Sequence, residues 1–465
     1  MLSQKGRIPL STVVFFFFGG ISLIFIALNL PFQLSLVTLL AAVFFIIAFL
    51  KTDIALIIVI LSMLLSPELR AGQISSRNVN IRAEDLFIFI IFLGWLAQMA
   101  VKKELGLMKR NPLNTPIIIY FTICVISSLL GLIQGRLRFQ SSFFFLLKYF
   151  EYYLIFFLVS NNLRDYKQAK KFIFFILLTC FIVCCVAWLQ LPSGERLSAP
   201  FESEGGEPNT FAGYLLLMMS LILGLFFYSK TQKERLFFFG FFALAGVPFL
   251  FTLSREAWAS FVPMLLAFMA FNRKSRLPLL FFIVVGLALS PFLIPKRVHQ
   301  RINETFTQEK SYQLFGKKIH VSESFAARID SWNIAFNKLS GRPFIGYGVP
   351  EAGTVDNQYT RVIIETGLIG FSVFIWLIIS LFKLAYRGFL TARNDFSKAI
   401  TLGFICGLVG LLTQSLGAAV FILIRIMEVF WFIAAIVLSL PVLEENENAE
   451  LGETEKGSPA GVVAQ

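Results

Sequence analysis

Residues 54–65 read IALIIVILSMLL, an apolar run set between Lys51 and a polar stretch that begins at Ser66. A hydrocarbon core of roughly 30 Å takes about 20 apolar residues of helix. On length alone, therefore, the run fits a re-entrant or interfacial piece, and its surroundings must decide. Apolar runs long enough to span, or nearly so, also start near Leu10, Phe32, Leu86, Pro116, Phe143, Phe172, Thr210, Leu236, Ala257, Leu277, Ile363, Ala399 and Ile426. If the Ile54 run crosses with them, one side of the membrane receives Lys5 and Arg7, Lys51, and the basic residues of 102–110, 164–171, 230–235, 273–276 and 383–398. That side then holds about half of the 41 Lys and Arg residues. The short loops of the other side hold only scattered ones: Arg70, Arg77, Arg82, Arg136, Arg138, Arg196, Arg255, Arg361 and Arg425. Cytoplasmic loops carry the Lys/Arg excess, so the first side is cytoplasmic and both termini lie there. Dropping the Ile54 run inverts half of this pattern. The expected fold is all-α, a polytopic membrane domain over 1–443 with about 12–14 transmembrane helices.

Composition agrees. Of the 465 residues, 57% are hydrophobic and only 15% charged, with a mean hydropathy of +0.76. Soluble chains carry charge on about a quarter of their residues, so a set of water-soluble domains is excluded. The net charge of +13 is a topology signal once mapped onto the loops, not a nucleic-acid one. Cys124, Cys180, Cys184, Cys185 and Cys406 all fall in apolar runs and read as packing residues. His299 and His320 are too few for a histidine metal cluster. No metal or other cofactor is expected. The N-terminal run has no small-residue cleavage site and reads as a first span, and the acidic, aperiodic tail 444–465 reads as disordered.

Three segments on the non-cytoplasmic side are long: Ser66–Asp85, Pro192–Asn209 and Pro295 to about Tyr359. The last contains SESFAARIDSWNIAFNKLSGRP (322–343), in which Phe325, Ile329, Trp332, Phe336 and Leu339 recur every three or four residues as one stripe of an amphipathic helix. Ser322 or Ser324 can cap its start and Gly341 its end, with Pro343 stopping it. Arg328 lies beside that stripe, facing the membrane body. Arg255, in LSREAWASF (253–261), stands between two spans joined by almost no loop, at headgroup depth. It is either a snorkelling anchor or a phosphate ligand. In RLSAPFESEGGEPNTFAGYLLL (196–217), Glu202, Glu204 and Glu207 are either solvated or sugar-binding, and Asn209 is a candidate N-cap. In PFIGYGVPEAGTVDNQYTRVIIETGLIGF (343–371), Pro343, Gly346 and Gly348 turn the chain back toward the membrane. Asp356, Asn357 and Tyr359 then stand at the mouth of the next helix. Asp356 is either a favourable charge at a helix start or a general base. Lys148 and Glu151, three apart in one span, are either functional or a mutually satisfied pair, and Arg425 with Glu428 reads as structural.

From Arg196 to the last span the chain resembles the O-antigen ligase and polymerase superfamily of integral membrane glycosyltransferases. The resemblance rests on an ordered series. Arg196, Phe201, Pro208 and Asn209 come first, then Ser254, Arg255, Ala257 and Trp258, then Arg328 and Trp332. Pro343, Gly346 and Gly348 follow, and last Asn357 and Tyr359 before Glu365, Gly367, Leu368 and Gly370.

The resemblance implies catalysis at the periplasmic face of a bacterial inner membrane. A glycan would move from a polyprenyl-diphosphate-linked donor to an acceptor glycan or lipid core, with inversion and without a metal. It assigns Arg255 and Arg328 to the diphosphate and Asp356 to the base, with Arg196, Asn209, Trp332, Asn357 and Tyr359 around the substrate. Ligases of that family commonly carry His where this chain has Asp356, a departure that fits a polymerase as well as a ligase. It leaves His320 and Glu207 as other candidate bases. The competing reading is a membrane transporter of lipid-linked sugar or of a small anion such as bicarbonate. That reading needs polar residues along a midplane route, for which Lys148 and Glu151 are the candidates. No internal repeat supports it.

Overall fold

The computed structural model describes residues 32–66, 68–74, 77–102, 111–200, 206–273, 276–281, 283–284, 296–307, 309–314, 317–353 and 355–456. Helices α1 (Phe32–Leu50) and α2 (Thr52–Leu65) lead into a hairpin of β1 (Glu68–Ile74) and β2 (Arg77–Arg82). Next come α3 (Ala83–Lys102), α4 (Asn114–Ile133), α5 (Phe139–Asn162), α6 (Tyr166–Gln190), α7 (Pro208–Tyr228), α8 (Gln232–Phe251) and α9 (Arg255–Phe271). A short α10 (Lys296–Thr307) precedes a second hairpin, β3 (Glu309–Leu314) and β4 (Lys317–Ser322), and then α11 (Glu323–Gly341). The chain ends with α12 (Gln358–Thr391), α13 (Asp395–Gln414) and α14 (Ile424–Lys456).

Among the described residues nine helices are long and apolar enough to cross a membrane. The chain is a multi-pass helical membrane protein. Helices stand at the anticipated runs; the one from Leu10 lies outside the described residues, and the one from Leu277 is helical over 276–281. The short Ile54 run is helical too, as the 14-residue α2. Ala55, Leu56, Val59, Ile60 and Met63 are all buried, so α2 is held by neighbouring helices, and a short helix surrounded by protein need not match the bilayer thickness.

Two departures from the sequence reading concern the long loops and the tail. Two of the long segments, for which no strand was expected, contain antiparallel hairpins, paired Glu68 to Arg82 and Glu309 to Ser322. In KKIHVS (317–322) β-branched residues alternate with polar ones, the strand pattern that a helix-oriented reading passes over. The tail expected to be disordered from 444 begins as helix, since α14 runs on to Lys456. Glu444 is buried and accepts from the backbone N–H of Arg393 (2.9 Å) and Asn394 (3.2 Å), which docks the extension on the α12–α13 turn. Residues 457–465 lie outside the described residues.

The centre of the bundle is α7, α13 and α14. Gly403 and Gly407 of α13 lie against Ser220 and Leu221 of α7, where a Cβ on Gly403 would stand 2.8 Å from the Ser220 carbonyl oxygen. Such closeness between helices needs small residues, because lipid supplies no hydrophobic drive and packing must do the work. At one end of the bundle Gln168 donates to Asp53 (2.8 Å), Tyr166 meets Ser397 (3.1 Å) and Lys230 approaches Asp395 (3.5 Å). Arg196, Arg255, Arg328, Asp356 and Arg425 gather at the opposite end.

Candidate functional site

The site begins at the turn between α8 and α9. Leu253 holds φ of 53°, a left-handed conformation that side chains with a Cβ adopt only at a cost, and Ser254 and Arg255 follow it directly. That bend lets α9 start at Arg255 with almost no loop. Arg196 clasps the same turn, its Nε donating to the Thr252 carbonyl (3.2 Å) and Nη2 to that of Leu253 (3.4 Å). The Leu197 N–H donates to the Phe251 carbonyl at 3.1 Å.

Glu256, next to Arg255, reaches across to α11. Its Oε1 lies 2.8 Å from Nη2 of Arg328. Partial burial lowers the Arg196 pKa, Arg301 and Arg255 lower it further, and Glu256 opposes them. Three arginines therefore share one field, and Arg328 joins them through Glu256.

The amphipathic helix is present as α11, with its packed face shifted from the expected stripe toward Ala335. Ala326 and Ala335 are the buried residues, and Ala335 clusters with Ala352, Val355 and Ile364, whereas Phe336 of the expected stripe is 60% exposed. Ile329, Trp332 and Leu339 of that stripe are half-buried. Arg328 lies two turns before Ala335 and so shares its face, which directs it to the bundle. Trp332 is half-buried, its ring 5.9 Å from that of Phe336.

A broken helix organises the rest. Inside α12, Gly367 has φ 67° and ψ −168°, and the loop 343–349 lies against the break. The N–H groups of Leu368 and Ile369 donate to the carbonyls of Pro343 (2.8 Å) and Phe344 (3.2 Å). Those of Tyr347 and Gly348 donate to Ile364 (2.9 Å) and Glu365 (2.8 Å). From α4, the Ser127 hydroxyl lies 2.6 Å from each of the Ile345 and Glu365 carbonyls, and its one O–H serves the pair. Groups freed by the break are thus satisfied by the inserted loop, which is how irregular backbone is tolerated among membrane helices. The two glycine motifs of the sequence are the two sides of this one contact. Arg361 and Glu365, a buried pair at 3.0 Å, tie in the following turn, as Arg361 Nη2 donates to the Gly353 carbonyl at 2.6 Å.

Asp356 emerges from that turn exposed. Partial burial raises its pKa above the usual 3.8; Arg361 opposes the rise and Glu256 adds to it. The carboxylate that holds Arg328 therefore acts on the candidate base as well. Asn357 is buried and caps α12, accepting from the N–H of Tyr359 (2.9 Å) and Thr360 (3.1 Å) and donating to the Leu416 carbonyl (2.9 Å). Both ends of its amide are engaged with the backbone of the site. The Tyr359 hydroxyl donates to Leu412 (2.7 Å). The turn after α13 lies against the ion pair itself, since a Cβ on Gly417 would run into Glu256 and the Arg328 guanidinium.

Asn209 is not an N-cap. Glu207 holds that position in α7 and accepts from Thr210 Oγ1 at 3.3 Å. The main-chain oxygen of Asn209 takes a bond from Gln414 (3.1 Å), while its buried Oδ1 has no hydrogen-bond partner, the state of a group that can receive a ligand. Glu207 is exposed. The side chains of Glu202, Glu204 and His320 lie outside the described residues. Glu151 joins Asp85 and Glu428 in a buried group. Sequence reasoning missed Glu256, Arg301 and the role of Arg361; Glu256 was signalled only by adjacency to Arg255.

Fold and site together define an integral membrane protein with an arginine-lined polar site at one end of a helical bundle. Residues 240–375 match the family described as O-Antigen ligase, and the chain is O-antigen ligase-like over that stretch. The matched stretch includes Arg255, Arg328, Asp356, Asn357 and Tyr359, and it stops short of Arg196 and Asn209. No curated protein matches the chain.

Proposed function

We propose that the protein is a membrane glycosyltransferase that moves a glycan from a polyprenyl-diphosphate-linked donor to an acceptor glycan or lipid core on the outer side of the inner membrane. The observation that carries this reading is the shared field of Arg196, Arg255 and Arg301, joined to Arg328 through Glu256, with Asp356 within the field of the same carboxylate. Arg255 and Arg328 take the donor diphosphate. The acceptor hydroxyl oxygen attacks the anomeric carbon as the bond to the phosphate oxygen breaks, and the electron pair leaves on the diphosphate. Guanidinium groups already aimed at that oxygen stabilise the developing charge. Asp356 takes the hydroxyl proton, helped by a pKa raised toward working pH. Glu256 keeps Arg328 oriented before the donor arrives. Asn209, Trp332 and Tyr359 border the glycan, and Arg196 supports the turn that presents Arg255.

Proteoliposomes given a labelled donor and an acceptor test the reading. Joined glycan and free polyprenyl diphosphate in equal amounts are the expected result. Movement of the labelled sugar into the vesicle lumen with its diphosphate link intact would mark a transporter instead.

A further inference from the structure

Three carboxylates from different helices converge inside the bundle, near Arg82. Asp85 stands in the first turn of α3, Glu151 midway along α5 and Glu428 in the first turns of α14. One ligand oxygen from each lies within 4.8 Å of the other two. Glu428 is fully buried and neither of its carboxylate oxygens has a hydrogen-bond partner. Glu151 is 8% exposed, with Oε1 unpartnered. Asp85 accepts from the Arg82 N–H through Oδ2 at 3.0 Å, leaving a buried Oδ1 unpartnered.

Arg82 attracts Glu151 and Glu428 through space, but Glu428 receives no hydrogen bond from it. Arg82 lies 3.8 Å from Glu84, whose carboxylate also accepts from Ser66 Oγ. Arg425, three residues before Glu428, directs Nη1 to the carbonyls of Leu64 (3.3 Å) and Pro200 (3.0 Å). Burying carboxylates without partners costs several kcal/mol each, so the cluster calls for something to bind.

We propose that Asp85, Glu151 and Glu428 form a Ca²⁺ site. The ligand set is all oxygen and all carboxylate, which selects a hard cation. Ca²⁺ takes oxygens at about 2.3–2.6 Å, so opposite ligands stand roughly 5 Å apart and the observed spacing fits inside its shell. Mg²⁺, at about 2.1 Å, demands a tighter, near-octahedral set and keeps its waters. Ca²⁺ takes the three carboxylates in their ionised form, so its uptake displaces any protons they hold. The ion fastens α3, α5 and α14 together, beside the Leu64 and Pro200 carbonyls that Arg425 holds, and so steadies the segment that carries Arg196.

Full-length protein purified in detergent and stripped with EGTA tests this by equilibrium binding of radiolabelled Ca²⁺ and by thermal unfolding. Wild-type protein should take up one Ca²⁺ per chain, saturably, and melt higher with Ca²⁺ than with EGTA. Glu428→Gln should lose binding, and Glu151→Gln should weaken it roughly tenfold or more. The wild-type measurement stands even if a variant fails to fold. The site is overturned if wild-type protein binds no Ca²⁺ saturably, if folded Glu428→Gln binds like wild type, or if equimolar Mg²⁺ displaces the ion.

Discussion

Arg328 Nη2 lies 2.8 Å from Glu256 Oε1, a bond that joins α11 to the first turn of α9. The residue beside Arg255 in the chain is thus the one that brings Arg328 toward Arg255 in space. Both side chains keep some exposure, 33% and 17%. An ion pair so placed contributes on the order of 1 kcal/mol or less, weak enough for a diphosphate to compete for the guanidinium. Glu256→Gln should therefore shift the melting temperature little while lowering kcat/KM for the donor about tenfold, equivalent to about 1.4 kcal/mol of transition-state binding. Steady-state kinetics beside a melting curve check both halves. In a double-mutant cycle with Arg328→Ala the two losses should be less than additive.

Gly417 is the backbone wall of that pair. Any Cβ there meets Glu256 and Arg328, so Gly417→Ala should cost most of the transfer activity through displacement of Arg328. Gly240, with nothing within 4 Å of its Cβ position, is the matched control and should tolerate Ala. Transfer assays on both variants, normalised to protein in the membrane, give the comparison.

Asp356 sets a pH dependence. Only the ionised form accepts a proton, and burial raises its pKa above 3.8, so transfer should rise with pH through a limb above the ordinary carboxylate value. Asp356→His should stay active with the limb moved up to about 6.5, and Asp356→Asn should be inactive. For stability the sign is opposite. A raised folded-state pKa gives stability that is present below the unfolded value and lost as pH rises through the folded one. At neutral pH Asp356→Asn should consequently be no less stable than wild type, as pH–rate profiles and melting curves can establish.

Gly367 carries the break in α12. With φ 67° and ψ −168°, and the Phe344 backbone where a Cβ would go, it accepts no other residue without displacing the 343–349 loop. Gly367→Ala should lower the folded yield in membranes, measured by the monodisperse fraction after detergent extraction. Ser127→Ala, which removes the hydroxyl bridging Ile345 of the loop and Glu365 of α12, should lower it less.

Much of the fold was legible because a bilayer imposes long apolar runs, and the Ile54 run, which length left open, is a buried helix. The arginines were legible as cations set where hydrocarbon gives way to water. What stayed hidden depends on three-dimensional pairing. Glu256 reads as an ordinary helix-start carboxylate until Arg328, far along the chain, is placed beside it. The glycines of 343–348 and 365–370 look like two motifs until their backbones are seen bonded to each other. Asn357 is hydrophilic and stands by Asp356, yet its amide is consumed in capping. The packed face of α11 is shifted from its apolar stripe toward Ala335, a residue too small for hydrophobicity alone to single out.

The central claim is that Arg255 and Arg328 hold the diphosphate whose departure drives transfer. Release of polyprenyl diphosphate from a labelled donor, measured in proteoliposomes holding equal amounts of wild-type, Arg255→Ala and Arg328→Ala protein, tests it most directly. Release should fall at least 100-fold in each variant, the scale on which loss of a charge-stabilising donor acts, while insertion and melting stay near wild type. Normal release from both correctly inserted variants would contradict the account.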